Sequence, residues 1–204
     1  WKQDERHKPL ILRGARQVGK TTVVNEFGSQ FDNYLYFNLE ISESVRLFEM
    51  DIPLNDLVNM LFASLGKSQK KGSTLIFIDE IQNSPKTIAL LRYFYEQRPD
   101  LYVIAAGSLL ENLVDVNVSF PVGRVMYLAL RPCSFYEFLG AIGKNNLLTI
   151  LSQKAEYSIA FHEQLMHQFN QYTIIGGMPE AVQHYAETQD IIAIEDVYET
   201  LVQA

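Results

Sequence analysis

Cysteine is almost absent from this chain of 204 residues, which contains only Cys133. A single cysteine cannot form an intramolecular disulfide, and this suits a reducing compartment. We interpret Cys133 as a packing residue, because the sequence shows no local base or cation that would activate its thiol. The histidines have no spacing typical of metal ligands, and we interpret them as surface or core residues: His7, His162, His167 and His184.

Long apolar runs and excess positive charge are also missing. No run approaches the roughly 18 to 20 apolar residues that a membrane-spanning helix needs, and residues 1–9 contain no apolar segment typical of a signal peptide. We therefore expect a cytoplasmic protein with no membrane partner. The net charge is −7, from 17 Lys and Arg against 24 Asp and Glu, and this sign disfavours generic nucleic-acid binding.

The composition is otherwise typical of a globular protein, with 48% hydrophobic and 20% charged residues. The length allows one full-sized α/β domain and a smaller second one. The chain starts at Trp1 rather than at a methionine, and it ends within the apolar-periodic stretch 191–202. We therefore expect a fragment of a longer protein.

Short apolar segments predict the strands of a sheet: 9–12, 34–39, 74–78, 101–106 and 125–130. Predicted helices alternate with these strands, at residues 21–27, 54–65 and 85–97. A further short helix follows the segment 34–39, and we expect Ser42 to cap it. This alternation is typical of a mostly parallel sheet that helices cover on both faces. After Pro132 the patterns are helical, at 134–139, 157–172, 180–185 and 191–202. We predict a core of residues 1–131 and a helical subdomain of residues 132–204.

Residues 14–21, GARQVGKT, match the pattern G-x-x-x-x-G-K-[ST] and lie between a predicted strand and a predicted helix. Glycines let backbone N–H groups curve around a phosphate, and the helix N-terminus adds partial positive charge. We predict that Lys20 reaches the β- and γ-phosphates of ATP and that Thr21 offers its hydroxyl to Mg²⁺. The side chains of Arg16 and Gln17 are assigned no role of their own. The predicted nucleotide-binding residues are Gly14, Ala15, Arg16, Gln17, Val18, Gly19, Lys20, Thr21 and Thr22.

An acidic pair follows the apolar segment 74–78. A carboxylate at the end of a buried strand is placed to ligate Mg²⁺, and we predict this role for Asp79. Glu80 then faces the γ-phosphate, where it would act as the general base that polarises the attacking water. Taken alone, the pair also fits an ordinary solvated loop, but the complete P-loop favours the catalytic interpretation.

Two further residues are candidates for the reaction. Ser108 follows the segment 101–106, at the edge where ligands of open α/β sheets bind, so it could sense the γ-phosphate or orient water; a simple turn is the alternative. Arg124 precedes the segment 125–130 and is the arginine that we favour for stabilising transition-state charge. Its competitors are Arg92, Arg98 and Arg131.

A glycine turn, GGMP at 176–179, interrupts the helical region. Its local interpretation is the end of one helix and the start of the next at a proline. The position of the turn alone does not show whether it also reaches the nucleotide base.

The order of these motifs resembles the prokaryotic AAA-family ATPases, in which an AAA core precedes a C-terminal domain of unknown function. The resemblance spans residues 8–182 and rests on GARQVGKTT, LIFIDEIQ, VIAAGSLL, GRVMYLALRPCSFYEFL and GGMPEAV. It implies an α/β P-loop NTPase fold of the AAA type, a helical extension, ATP and Mg²⁺ as ligands, and the roles derived above for Lys20, Thr21, Asp79 and Glu80. Ser108 matches the family's first sensor. The turn is similar to the Gly-x-Pro motif of signalling ATPases, which implies that Pro179 lies against adenine.

The resemblance and the motifs together predict a Mg²⁺-dependent ATPase that is coupled to a conformational change of a missing C-terminal domain. ATP would bind between the core and the helical subdomain. The main alternative is an ATP-controlled switch or interaction module with little turnover. A small-molecule kinase is a third hypothesis, but the acidic pair favours water as the acceptor. An unknown protein partner and a homo-oligomer are both compatible with the sequence.

Overall fold

The structure, a computed structural model, describes residues 1–4, 6–108, 121, 123–153 and 158–203. The chain forms two compact units, Trp1–Leu130 and Arg131–Ala204. Among the described helices, none combines the length and the apolar character needed to cross a lipid bilayer.

A parallel sheet forms the centre of the first unit. Its strands are β1 (Leu10–Arg13), β2 (Asn33–Asn38), β3 (Thr74–Asp79), β4 (Leu101–Gly107) and β5 (Met126–Ala129), in the order β2-β3-β4-β1-β5. The helices between them are α1 (Lys20–Gly28), α2 (Ser42–Phe48), α3 (Leu54–Ser64) and α4 (Pro85–Gln97). All the described strand pairs are parallel, which confirms the predicted α/β architecture.

Helices cover both faces of this sheet. All the residues of β3 are buried, which explains why its sequence is apolar without alternation. Ile76 and Ile78 belong to the core that α2, α3 and α4 cover, whereas Leu75 and Phe77 belong to the core beneath α1. The sheet is therefore a rigid platform whose carboxyl edge can position polar side chains.

Two local predictions differ from the structure. The alternating pattern predicts a sheet that helices cover on both faces, but Met126 and Leu128 of β5 are 42% and 54% exposed. β5 is an edge strand, with β1 as its neighbour in the sheet. Ser42 is also not a helix cap, because it is the first residue of α2, and the N-cap is Ile41, with no side-chain hydrogen bond.

The described elements of the second unit are helices: α5 (Phe135–Ala141), α6 (Asn145–Gln153), α7 (Ile159–Ile175), α8 (Pro179–Thr188) and α9 (Ile194–Gln203). The sequence patterns did not predict α6, a short helix of nine residues that starts with two asparagines. Leu147 of α6 belongs to the same buried cluster as Leu139 of α5 and Leu165 of α7. Tertiary packing therefore makes this short segment part of a helical core.

The glycine turn of the second unit has the local structure that the sequence predicts. Gly176 caps α7 with a φ of 72°, and Pro179 is the first residue of α8. The Cys133 backbone N–H donates to the carbonyl of Gly177 at 2.7 Å, and a Cβ on Gly177 would collide with the Cys133 carbonyl oxygen. Burial raises the pKa of the Cys133 thiol, which supports a packing role for this residue.

Candidate functional site

A loop of residues 14–19 connects β1 to α1. Gln17 and Gly19 have positive φ angles of 59° and 88°, while Val18 is 3% exposed and anchors the loop in the core. Gly19 is the N-cap of α1 and provides no side-chain hydrogen bond to the helix. A helix N-terminus without a side-chain cap keeps its first N–H groups accessible, which is the arrangement that binds anions.

Gly14 lies where two strand ends approach closely. The Leu130 N–H donates to the Arg13 carbonyl at 2.7 Å, and a Cβ on Gly14 would collide with the Leu130 carbonyl oxygen. We expect Gly14→Ala to lower the free energy of unfolding by about 3 kcal/mol, because backbone must move to make room. Thermal denaturation of the nucleotide-free protein measures this loss.

Gly66→Ala is the matched control for that experiment. Gly66 has a φ of 61°, but a Cβ there would meet nothing within 4 Å. Alanine at this position should lower the free energy of unfolding by about 1 kcal/mol, which is the cost of a left-handed backbone conformation for a residue with a Cβ. Equal melting temperatures of the Gly14→Ala protein and the unmodified protein would contradict the close approach at Gly14.

Backbone carbonyls of the loop hold the side chain of Lys20. The side chain is only 6% exposed, and its Nζ donates to the carbonyls of Gly14 at 3.0 Å and Ala15 at 2.7 Å. Burial lowers the pKa of Lys20, and the negative charges of Glu80 and Asp79 partly oppose this shift. A desolvated ammonium of this kind gains electrostatic stabilisation when a polyanion enters the loop.

Asp79, at the end of β3, connects to the same loop. The Thr21 hydroxyl donates to Asp79 Oδ2 at 2.6 Å, and the Tyr36 hydroxyl approaches that oxygen at 3.4 Å. The N–H of Glu80 donates to Asp79 Oδ1 at 3.0 Å. Asp79 is 3% exposed, so these contacts hold its carboxylate in one orientation.

The pair of Thr21 and Asp79 fits a Mg²⁺ ion. Both side chains offer oxygen, the ligand atom that this cation prefers, and Mg²⁺ usually keeps waters and substrate phosphates as its remaining ligands. Within the described part of the chain there is no group of three or more His, Cys, Asp or Glu residues that could hold a metal. Two protein oxygens would leave the remaining coordination positions of a Mg²⁺ ion to water and phosphate oxygens.

Glu80 directly follows β3 in a left-handed conformation, with a φ of 51°. It is the N-cap of a short 3-10 turn, Ile81–Asn83, and its Oε2 accepts a hydrogen bond from Gln82 Nε2. A non-glycine residue in this backbone region is strained, and such strain is common where a side chain must be aimed at a ligand. The side chain is half-buried, so it remains accessible to a water molecule.

Ser108 follows β4, the strand that lies between β3 and β1 in the sheet. Gly107 is in register with Arg13, so Ser108 follows at the same edge as the loop that begins at Gly14. The Ser108 Oγ is buried and has no hydrogen-bond partner among the described residues. A buried hydroxyl without a partner is uncommon, and a ligand at this edge would supply one.

Arg124 lies at the other edge of the sheet. It precedes β5, which runs parallel to β1, whereas the P-loop follows β1. Its Nε contacts Glu96 Oε1 at 2.7 Å, and Arg92 shares the same carboxylate oxygen at 2.9 Å. Arg124 therefore lies at the edge opposite to the one where its own chain's P-loop begins, and its role in stabilising transition-state charge stays a prediction.

The remaining predicted residues are placed as follows. Arg16 and Gln17 are exposed at the tip of the loop, and Thr22 is exposed on the first turn of α1. Pro179 is half-buried at the start of α8 in the second unit. Its contact with adenine stays a prediction.

Two residues around the acidic pair were not predicted from the sequence. Tyr36 approaches Asp79 from β2, and only the register between β2 and β3 shows that the two are neighbours. Gln82 contacts Glu80, and its place in the segment LIFIDEIQ was a signal, because a polar side chain two residues after the acidic pair can fold back onto it.

Comparisons with known proteins concern the family and the fold of the chain. The model of a family described as an AAA domain matches residues 6–139. The fold is similar to that of a Walker-type ATPase of Pyrococcus abyssi, with a TM-score of 0.55 and 16% identity over 100% of this chain and 73% of the other. It is also similar to PCH-2 of C. elegans, with a TM-score of 0.50 and 13% identity over 98% of this chain and 62% of the other. The chain thus spans less than two thirds of PCH-2, and no curated protein matches it.

Proposed function

This chain belongs to the AAA domain family, and from that premise we propose that it binds ATP together with Mg²⁺ at residues 14–22 and hydrolyses the γ-phosphate. The AAA family consists of nucleotide-binding ATPases. The observation that carries the proposal is the 2.6 Å hydrogen bond from Thr21 to Asp79, because it joins a complete P-loop to the acidic strand end. The P-loop alone would supply neither the acidic metal ligand nor a general base.

The P-loop and Lys20 bind the phosphates in this proposal. The loop backbone and the N-terminus of α1 present N–H groups to the phosphate oxygens. Lys20 then exchanges its hydrogen bonds to the Gly14 and Ala15 carbonyls for the β- and γ-phosphates. This exchange gives the ammonium charged partners in place of neutral ones.

Thr21 and Asp79 would hold Mg²⁺, through the threonine hydroxyl and the aspartate carboxylate. When bound, the metal ion supplies electrostatic neutralisation of the β- and γ-phosphate oxygens. Tyr36 supports the site by keeping the Asp79 carboxylate oriented through its 3.4 Å contact.

Glu80 is the proposed general base. Its carboxylate accepts a proton from the attacking water, which makes the water oxygen a better nucleophile toward the γ-phosphorus. Ser108 offers its buried hydroxyl to the γ-phosphate or to the water. Both side chains follow neighbouring strands, β3 and β4, so the sheet sets their separation.

Calorimetric titration with ATP, with and without Mg²⁺, tests the binding proposal, and phosphate release over many turnovers tests hydrolysis. We expect heat of binding, a rise in melting temperature with ATP and Mg²⁺, and steady phosphate release. Folded protein that gives neither heat nor a thermal shift would contradict the proposal.

The same assay distinguishes an ATPase from a nucleotide-controlled switch. An ATPase releases phosphate in large excess over protein, whereas a switch completes about one slow turnover and retains its nucleotide. Coupling to a further domain, the unknown protein partner and a homo-oligomer stay predictions.

Thr21→Val tests the metal-binding role separately from phosphate binding. Valine keeps the shape of threonine but removes the hydroxyl that donates to Asp79. In the presence of Mg²⁺ we expect the Kd for ATP to rise about tenfold, since one charge-assisted contact is lost. With EDTA the Kd should stay within about twofold of the unmodified protein. Equal weakening under both conditions would contradict a metal-specific role.

A further inference from the structure

Gln82 occupies a fixed position directly after the proposed general base. It is the central residue of the 3-10 turn Ile81–Asn83, which the hydrogen bond from the Asn83 N–H to the Glu80 carbonyl closes at 3.0 Å. Ile81 is fully buried and anchors the turn in the core. The backbone therefore holds Gln82 in a defined position relative to Glu80.

The two ends of the Gln82 amide have different surroundings. Its Nε2 donates to Glu80 Oε2, so the nitrogen is the end that faces the carboxylate. The amide oxygen Oε1 is buried and has no hydrogen-bond partner among the described residues. A buried acceptor without a donor is costly, which indicates that a donor is supplied when the site is occupied.

We propose that Gln82 is a catalytic residue that binds the attacking water together with Glu80. This inference rests on the proposed ATPase function. A water molecule has two protons to donate, and the two acceptors are Glu80 and Gln82 Oε1. With both protons engaged, a lone pair of the water oxygen is directed away from the acceptors and toward the γ-phosphorus.

The reaction balances as follows. The bond between the water oxygen and the γ-phosphorus forms, and the bond from that phosphorus to the β,γ-bridging oxygen breaks. One water proton passes to the Glu80 carboxylate and then to solvent, while ADP leaves with the electron pair of the broken bond. Gln82 accepts a hydrogen bond throughout and transfers no proton.

Two variants of Gln82 test this role. Gln82→Met keeps the length of the side chain and removes both hydrogen-bonding ends, while Gln82→Glu cannot donate to Glu80 and places a like charge beside it. We expect each to lower kcat about 10- to 100-fold, as the loss of one hydrogen bond to a charged or reacting group does. The Kd for ATP should remain within about threefold, because neither end of the amide is assigned to the nucleotide.

Asn83→Ala is the matched control. Asn83 belongs to the same 3-10 turn, but its side chain is exposed and no contact to Glu80 involves it. We expect this variant to keep the kcat of the unmodified protein. A comparable loss in Asn83→Ala would show that the turn as a whole matters, and this would overturn a specific role for the Gln82 amide.

A double-mutant cycle separates this inference from the proposed function. If Glu80 and Gln82 act on one water, adding Gln82→Met to Glu80→Gln should change the residual rate by less than about twofold. The inference would be overturned if the two substitutions lowered kcat by independent factors that multiply in the double variant. It would also be overturned if both Gln82 variants kept a normal kcat, or if they weakened ATP affinity at a normal kcat. Absence of hydrolysis in the unmodified protein would instead contradict the ATPase proposal, and Gln82 would then have no catalytic role.

Discussion

Lys20→Ala should remove measurable ATP binding while the protein stays folded. The ammonium is the buried cation of the P-loop, and its contacts to two phosphates would be lost together. We expect the Kd for ATP to rise at least about 100-fold, because two charge-assisted contacts are lost and each contributes about 1.5 kcal/mol or more. Isothermal titration calorimetry in the presence of Mg²⁺ measures this change.

The melting temperature of the nucleotide-free Lys20→Ala protein should not fall. Burial lowers the pKa of Lys20, so the empty loop already disfavours the charged ammonium, and its removal relieves that desolvation. Lys67→Ala is the charge-matched control, because Lys67 is exposed in the loop before β3, at the opposite edge of the sheet. Equal ATP affinity in the Lys20→Ala and unmodified proteins would contradict the assigned site.

Glu80→Gln should stop turnover without loss of ATP binding. The amide has nearly the shape of the carboxylate but cannot accept the proton of the attacking water. General-base catalysis contributes about 10²- to 10⁴-fold, so kcat should fall by that factor. The Kd for ATP should remain within about threefold, because the phosphate contacts come from the P-loop and Lys20. Phosphate release and titration calorimetry on the same sample separate the two effects.

Glu40→Gln controls for the lost negative charge. Glu40 lies two residues beyond β2, whose last residue Asn38 is in register with Asp79, so the same charge is removed at the same edge of the sheet. We expect kcat of this variant to remain within about threefold of the unmodified protein, since it removes a charge but not the base. Normal phosphate release by the Glu80→Gln protein would exclude Glu80 as the base.

Much of the fold could be predicted because its signals are local. β3 and β4 are short apolar runs between turns, and α4 begins at Pro85 and ends at Gln97, the bounds that the sequence indicates. The predictions that differ from the structure concern segments whose burial or helical structure depends on their tertiary neighbours. β5 has an apolar sequence but lies exposed at the sheet edge, and the short segment of α6 was not predicted although its Leu147 packs in one cluster with α5 and α7. Burial depends on which neighbours the topology supplies, and a sequence window contains no such information.

The candidate site shows the same division. The phosphate loop is contiguous in sequence, so its glycines, Lys20 and Thr21 can be recognised together. Arg124 precedes β5 and so lies at the edge opposite to the P-loop, and only the strand direction decides such a placement. Tyr36 and Gln82 escaped notice because their roles depend on side-chain contacts with Asp79 and Glu80.

The sequence by itself determined the loop, the acidic pair and the alternation of strands and helices, since each depends on residues close together in the chain. Only the tertiary structure decided that β4 lies between β3 and β1, and that Asp79 meets Thr21 across 58 residues of sequence. The physical reason is that a parallel sheet brings distant strand ends to one edge through hydrogen-bond register and buried apolar contacts. These interactions form between segments, so neither segment specifies them alone.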